Sequence, residues 1–260
     1  LADLLSATMP GYDFTSPRLY VDAPLSGGAR LALASAQVNY LRNVLRLQDG
    51  ADLLVFNGRD GEWRAKLDAS NRKSIALAAV ERIRDQHPPF DLHYLFAPLK
   101  HARLDYMVQK AVEMGAGRLC PILTSRTQAQ RINLDRMRAN AIEAAEQCGI
   151  LSIPEISPPV RLGAALEAWS PGRLLVFCDE DAPVDNSVEA LRALADAAPR
   201  SLAVLIGPEG GFDPQEREAL LAMPHALRLS LGPRILRADT AAVAALALVQ
   251  AGLGDWRSFR

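Results

Sequence analysis

Cysteine is scarce in this 260-residue sequence: Cys120, Cys148 and Cys178 stand far apart and odd in number. That pattern excludes a disulfide framework and a cysteine-built zinc site, and it fits a reducing compartment, so a cytoplasmic location is expected. The four histidines, His87, His93, His101 and His225, form no HxxxH or HExxH spacing, and no metal is expected. No apolar run is long. Ala241–Val249 is about half of the ~20 residues that a membrane-spanning helix needs, so no membrane partner is expected either. Leu1 to Ser16 lack a basic segment followed by a continuous apolar one, the pattern of an export signal. A Gly-Lys dipeptide and a GxSxG elbow are both missing, which excludes a Walker A loop and an α/β-hydrolase nucleophile.

One sign of charge does not dominate: 29 Lys and Arg face 30 Asp and Glu. The average hides an asymmetry. Between residues 99 and 138, Lys100, Arg103, Lys110, Arg118, Arg126, Arg131, Arg136 and Arg138 meet only Asp105, Glu113 and Asp135. Arginine predominates, and its planar fork matches phosphate oxygens and stacks on bases. The stretch reads as a phosphate-binding face or, more plainly, as solvated helix surface.

Residues 1–17 form a tail containing proline, glycine, serine and threonine. From Arg18 to Arg84 the pattern predicts short strands at Arg18–Asp22, Ala51–Phe56, Glu62–Asp68 and Lys73–Val80. Asn57-Gly58, Asp60-Gly61 and Ser70-Asn71 supply turns. Val38, Leu41, Val44, Leu45 and Leu47 make one helical stripe, with Arg42 and Arg46 four apart on another face. A small β-barrel carrying one helix is expected over residues 18–86.

Asp85-Gln86-His87-Pro88-Pro89 is the best linker, because paired prolines favour extended backbone and end regular elements. Over residues 90–260, apolar runs at Leu92–Pro98, Leu119–Leu123, Leu174–Cys178, Leu202–Ile206 and Leu227–Leu231 alternate with helical patterns. This is the signature of an α/β domain with a buried parallel sheet.

Ligands of such sheets bind beyond the carboxyl ends of the strands, and three strand ends attract attention. Gly207-Pro208-Glu209-Gly210-Gly211-Phe212 leads into a helix announced by Asp213-Pro214-Gln215-Glu216, which reads as N-cap, N1 proline and capping-box glutamate. Its three glycines allow a ligand close to the backbone, or simply a tight turn. Leu231 to Thr240 interrupts two apolar elements with a glycine, a proline, Arg234, Arg237 and an Asp239-Thr240 pair. Such irregularity serves a ligand, an interface or a helix cap. Cys178-Asp179-Glu180-Asp181 is acidic, and alone it means little.

Taken in order along the chain, these motifs resemble the SPOUT superfamily of S-adenosylmethionine-dependent RNA methyltransferases, most closely the RsmE family that modifies 16S ribosomal RNA. The resemblance rests on Arg18-Leu19-Tyr20-Val21, Asn43-Val44-Leu45-Arg46, Lys110 to Gly115, Glu146-Gln147-Cys148 and the two glycine loops, and it spans nearly the whole chain. The sequence departs from the family pattern in two places: Cys148-Gly149-Ile150-Leu151 replaces a common Arg, and Asp239 stands where Glu is common.

The resemblance implies a PUA-like β-barrel followed by a SPOUT α/β domain whose C-terminal part is threaded as a trefoil knot, a rare exception to unthreaded connections. It implies S-adenosylmethionine as cofactor, held by Gly207, Pro208, Glu209, Gly210, Gly211, Leu231, Gly232, Ile235 and Leu236. It implies the small ribosomal subunit as partner, N3 of a uridine as the methylated atom, and a homodimer with Ala-rich helix 241–251 packed across a two-fold axis or kept as an intrachain core helix. Arg237 is expected to stabilise the developing uracil anion and Asp239 to take the N3 proton; phosphate binding by Arg237 and helix capping by Asp239 remain the alternatives. Arg18, Arg42, Arg46, Lys100, Lys110, Arg126 and Arg131 are the expected RNA contacts, each also readable as surface charge. A non-catalytic RNA-binding assembly factor and a SPOUT enzyme acting on transfer RNA remain the other functional readings.

Overall fold

The computed structural model describes residues 13, 15–70, 75–100, 102–128, 131–182, 186–195 and 201–258. The tail up to residue 12, Asn71 of the expected turn, the start of the expected strand at Lys73, and His101 lie outside them. The chain forms two units: residues 1–88 with 145–152, and residues 89–144 with 153–260.

In the first unit, strands β1 (Arg18–Tyr20), β2 (Arg30–Ala32), β3 (Asp52–Phe56), β4 (Glu62–Asp68) and β5 (Ala76–Arg84) lie in the order β1-β3-β4-β5-β2. β1 runs parallel to β3 and the other pairs are antiparallel. β4 shows the period of two that its sequence promised: Ala65 and Leu67 are buried while Arg64 and Lys66 face solvent. The expected barrel takes the form of a curled half-barrel with β1 and β2 as its edges. β2 escaped the sequence reading because three residues are too few to display alternation.

The turns have specific causes. Gly58 and Gly61 both adopt positive φ, and a Cβ on Gly61 would stand 2.2 Å from the Arg84 carbonyl oxygen. Helix α1 (Ser35–Asn39) continues directly into a π-helical turn, Tyr40–Val44. Widening to i→i+5 bonds rotates the expected stripe. Leu41 is fully buried, but Val44 is 61 % exposed, which corrects its place in that stripe. Residues 145–152 join this unit through hydrogen bonds: the Tyr20 backbone N–H donates to Glu146 Oε1 at 2.7 Å and Arg84 Nη2 to the Gly149 carbonyl at 2.9 Å.

The second unit is built on β6 (Leu92–Phe96), β7 (Arg118–Leu123), β8 (Glu155–Ile156), β9 (Val160–Arg161), β10 (Arg173–Cys178), β11 (Ser201–Ile206) and β12 (Ala226–Leu229). Every pairing is parallel, in the order β12-β10-β11-β6-β7-β8 with β9 also beside β7. Central strands are buried on both faces, so they read as continuous apolar runs; edge strand β12 carries Arg228. The helices are α2 (Ala102–Glu113), α3 (Leu134–Cys148), α4 (Leu162–Glu167), α5 (Ser187–Leu194), α6 (Pro214–Leu221) and α7 (Ala238–Gly252).

One face of the sheet buries Leu95, Ile122, Leu175, Phe177, Ala203 and Leu205 against Leu162 of α4 and Leu220 of α6. Each large side chain removed from water there contributes about 1.5–3 kcal/mol. α7 packs on β11, α2 and α5, and its buried positions Ala238, Ala241, Ala242, Ala245, Leu246 and Val249 keep helical spacing. Gln250 is buried with them because Nε2 donates to the Met114 carbonyl at 2.8 Å and Oε1 accepts from the Asp255 N–H at 3.1 Å.

Candidate functional site

A parallel sheet delivers all its strand ends to one side. The segments after β6, β7, β10, β11 and β12 therefore emerge together, with β10 between β11 and β12. At the end of β10, Asp179 is nearly buried and accepts from Arg217 Nη2 at 3.1 Å and Arg228 Nε at 2.9 Å. Burial opposes its ionisation, but the Asp181 N–H and the two guanidinium groups hold its carboxyl below the ordinary range. The acidic segment thus ties β10 to α6 and β12, the elements that follow and precede the two glycine loops.

The first loop has a reason for each of its constraints. Asp213 caps α6, accepting from the Glu216 N–H at 2.8 Å, while the Glu216 carboxylate accepts from the Asp213 N–H at 3.1 Å. Glu216 also accepts from the Ser125 N–H at 2.7 Å, fixing the segment after β7. A Cβ on Gly207 would come within 2.9 Å of the Phe212 ring, and Gly211 needs its positive φ. At Gly210 a Cβ would meet only Arg126, at 3.5 Å. Arg126 Nη1 donates to the Gly210 carbonyl at 2.5 Å. In the second loop Gly232 has φ +94° with nothing close to its missing Cβ. The loop begins under Ser187 Oγ, which donates to the Ser230 carbonyl.

Arg103, in the first turn of α2, joins parts of the site that are remote in sequence. Its Nη1 donates to Glu209 in the first loop, and its Nε donates to Asp239 Oδ2 at 3.0 Å in the first turn of α7. Its Nη2 is sealed from solvent with no partner among the described residues. Donating to Asp239 and Glu209 raises the guanidinium pKa; the Arg103 bond, foremost, holds Asp239 below the usual carboxylate range. Beside this group lies a pocket of about 260 Å³ lined by Pro98, Leu99, Lys100, Arg103, Arg126, Gln128, Pro208, Glu209 and Gly210. Sequence reasoning noted Arg103 as one cation among eight; no local signal distinguishes it, because its partners are 106 and 136 positions away.

The expected catalytic pair is divided. Asp239 is half-buried and engaged by Arg103, while Arg237 is the exposed N-cap residue of α7 with no side-chain capping bond. Neither Asp239 nor Thr240 is the cap. Among the expected cofactor residues, Gly207 to Gly211 and Leu231 to Leu236 lie on the two loops described, and Ile235 is 94 % exposed.

Expected RNA contacts Lys100 and Arg126 line the pocket. Lys110 Nζ donates to Glu113 at 2.8 Å and lies over the Tyr106 ring. Arg131 is exposed. In the first unit, Arg46 is exposed and is the one non-glycine with positive φ among the described residues; the Leu47 N–H closes the turn on the Leu41 carbonyl at 2.9 Å, and Arg42 precedes it on the π turn. Arg18 is corrected: its side chain is 6 % exposed and pairs with buried Glu62 at 2.5 Å, so it braces β1 against β4.

Comparison with known proteins gives two family matches. An RNA methyltransferase domain covers residues 86–250, and an RNA methyltransferase PUA domain covers residues 33–79. The ribosomal RNA small subunit methyltransferase E of Rickettsia conorii is 30 % identical over 234 residues, covering 90 % of this chain and 94 % of that protein. Its namesake from Synechocystis is 31 % identical over 228 residues, 86 % of this chain and 73 % of the relative. Among solved structures, a ribosomal RNA small subunit methyltransferase E from Neisseria gonorrhoeae bound to S-adenosyl methionine superposes with a TM-score of 0.82 at 25 % identity, over 93 % of this chain and 99 % of that one.

Proposed function

This chain belongs to the RNA methyltransferase family of the ribosomal RNA small subunit methyltransferases E, and on that premise we propose that it methylates N3 of a uridine in 16S rRNA. It is an S-adenosylmethionine-dependent rRNA methyltransferase. The observation that carries the reading is the family match across residues 86–250, which contains both glycine loops and the Arg103 link between the first loop and α7.

S-adenosylmethionine, when bound, supplies an electrophilic methyl group on a sulfonium. Gly207, Pro208, Glu209, Gly210, Gly211, Leu231, Gly232, Ile235 and Leu236 would hold it. Their backbone suits a close ligand, since it is open at Gly232, and Gly211 and Gly232 take conformations that side chains resist. N3 of uracil is neutral and weakly acidic, so the transfer needs in-line placement of N3 and loss of its proton. Arg237, exposed at the entrance to α7, donates to the uracil oxygen on which charge develops. Asp239 is ionised in its bond to Arg103, and it accepts the N3 proton directly or through water. Its depressed pKa makes it a weak base, and the Arg103 bond fixes the position of its carboxylate.

Arg42, Arg46, Lys100, Lys110, Arg126 and Arg131 bind RNA phosphates in this reading, and the target base leaves its stack to reach the site. A trefoil threading of the C-terminal part, a homodimer built on α7 and a cytoplasmic location complete the proposal. No described helix is long and apolar enough to cross a membrane. The test of substrate class is transfer of labelled methyl from S-adenosylmethionine to purified small subunits, large subunits and transfer RNA. Label confined to the small subunit is expected; label in transfer RNA would overturn the assignment.

A further inference from the structure

The pocket beside Arg103 is shared between the proposed cofactor loop, through Pro208, Glu209 and Gly210, and two cations proposed for RNA, Lys100 and Arg126. Lys100, Arg103 and Arg126 stand against one carboxylate of the lining, Glu209, which already pairs with Arg103. Asp239 bonds to the same guanidinium and Asp213 lies within electrostatic reach of Arg126, so the positive surplus is that of the pocket lining itself. The Lys100 ammonium has no partner among the described residues, and Arg126 uses Nη1 on the Gly210 carbonyl while the rest of its side chain is exposed. The third observation is the orphaned Nη2 of Arg103. An unpaired donor on a cation is costly, and such a group in a native structure has a cause beyond packing.

Two candidates bring oxygen acceptors near the Gly207–Gly211 loop: the carboxylate end of the cofactor and the RNA. S-adenosylmethionine carries a sulfonium and an ammonium against one carboxylate, a net positive ion, and a pocket with surplus positive charge repels it. RNA is a polyanion. The volume agrees, since about 260 Å³ is under the ~300–1,000 Å³ range of pockets that enclose a whole drug-sized ligand and suits a single nucleotide's phosphate and sugar.

We propose that Lys100, Arg103 and Arg126 form a seat for one backbone phosphate of the substrate RNA, with Arg103 joining that phosphate to the cofactor loop through Glu209 and to α7 through Asp239. The proposal rests on the RNA methyltransferase reading and deepens it. Arg103 is then the residue that couples RNA arrival to the arrangement of the reacting groups. Arg103 lines the pocket with its guanidinium held in plane by two carboxylates, so a phosphate there meets a cation that is already oriented.

The experiment is the salt dependence of binding of unmodified small subunits, without cofactor, to wild type, Arg103→Ala, Lys100→Ala and the double variant. Each lost phosphate contact lowers the slope of log K against log [salt] by about 0.7–0.9. The expected result is that fall in each single variant. Because both side chains serve one phosphate, the double variant is expected to fall by less than twice as much. S-adenosylmethionine affinity of Lys100→Ala, measured by calorimetry, stays within about threefold of wild type. Slopes equal to wild type in both single variants overturn the proposal. A tenfold loss of cofactor affinity in Arg103→Ala with an unchanged RNA slope overturns it in favour of the cofactor carboxylate. The Lys100 side chain is exposed and has no partner among the described residues, so its variant decides the matter even where Arg103→Ala loosens the loop. Failure of the wild-type protein to methylate small subunits is a separate result that strikes the functional reading itself.

Discussion

Arg103 Nε donates to Asp239 Oδ2 at 3.0 Å, so the first turn of α2 and the first turn of α7 are fastened by one ion pair across the carboxyl end of the sheet. The same guanidinium holds Glu209. The carboxylate assigned to the reaction is thus fixed by a residue outside both glycine loops.

This pair predicts a pH-dependent loss of stability in Arg103→Ala. Asp239 has a depressed pKa in the folded protein, so its contribution is complete above the unfolded value of ~3.9 and is lost as pH falls through the folded value. Both side chains are partly exposed, and a loss of about 0.5–1.5 kcal/mol is expected at pH 7. Urea unfolding should show the same deficit at pH 5 and a shrinking one below pH ~3.9. A deficit that disappears between pH 7 and pH 5 would contradict it.

Gly207 and Gly210 should differ although they share a loop. Alanine at 207 drives a Cβ into the Phe212 ring at 2.9 Å, whereas at 210 it makes an ordinary contact with Arg126 at 3.5 Å. Gly207→Ala should weaken S-adenosylmethionine binding tenfold or more, the equivalent of about 1.4 kcal/mol, and Gly210→Ala by much less. Calorimetry that finds the two equal would show that the ring does not set the loop.

The loops were legible because their punctuation is local. Asp213-Pro214-Gln215-Glu216 forms the capping box that its spacing promised, and central strands such as β10 and β11 read as apolar runs because both faces are covered. The π turn at Tyr40–Val44 has no periodicity to announce it, and two-residue strands β8 and β9 are too short to show any. Charge was the least legible feature. Arg18 and Arg103 look alike in sequence, yet one is buried on Glu62, 44 positions on, and the other bridges two carboxylates at the pocket. Such pairings are made by the fold and leave no local trace.

Glu62 is fully buried between Arg18 at 2.5 Å and Arg84 at 2.6 Å. Removing its charge leaves two guanidinium groups facing each other, so Glu62→Gln should destabilise the first unit by about 3–5 kcal/mol. Denaturant unfolding followed by the fluorescence of Trp63, on the same strand, in a background with Trp169 and Trp256 replaced by Phe, would measure it. A change under about 1 kcal/mol would mean that solvent reaches the pair.

Arg237 carries the proposed charge stabilisation. Its replacement by alanine should lower kcat about 10²–10³-fold and leave the cofactor Kd within about threefold, because an oxyanion donor acts in the transition state. A rise in KM with kcat unchanged would make it a phosphate contact instead.

The account stands or falls on the atom that is methylated. Small subunits lacking the modification, incubated with the protein and labelled S-adenosylmethionine, are digested to nucleosides and separated by mass. The account predicts one labelled product, 3-methyluridine, from 16S rRNA. Label on another base or on the ribose would contradict it. So would the absence of label when calorimetry shows the cofactor bound and an active control enzyme modifies the same subunits.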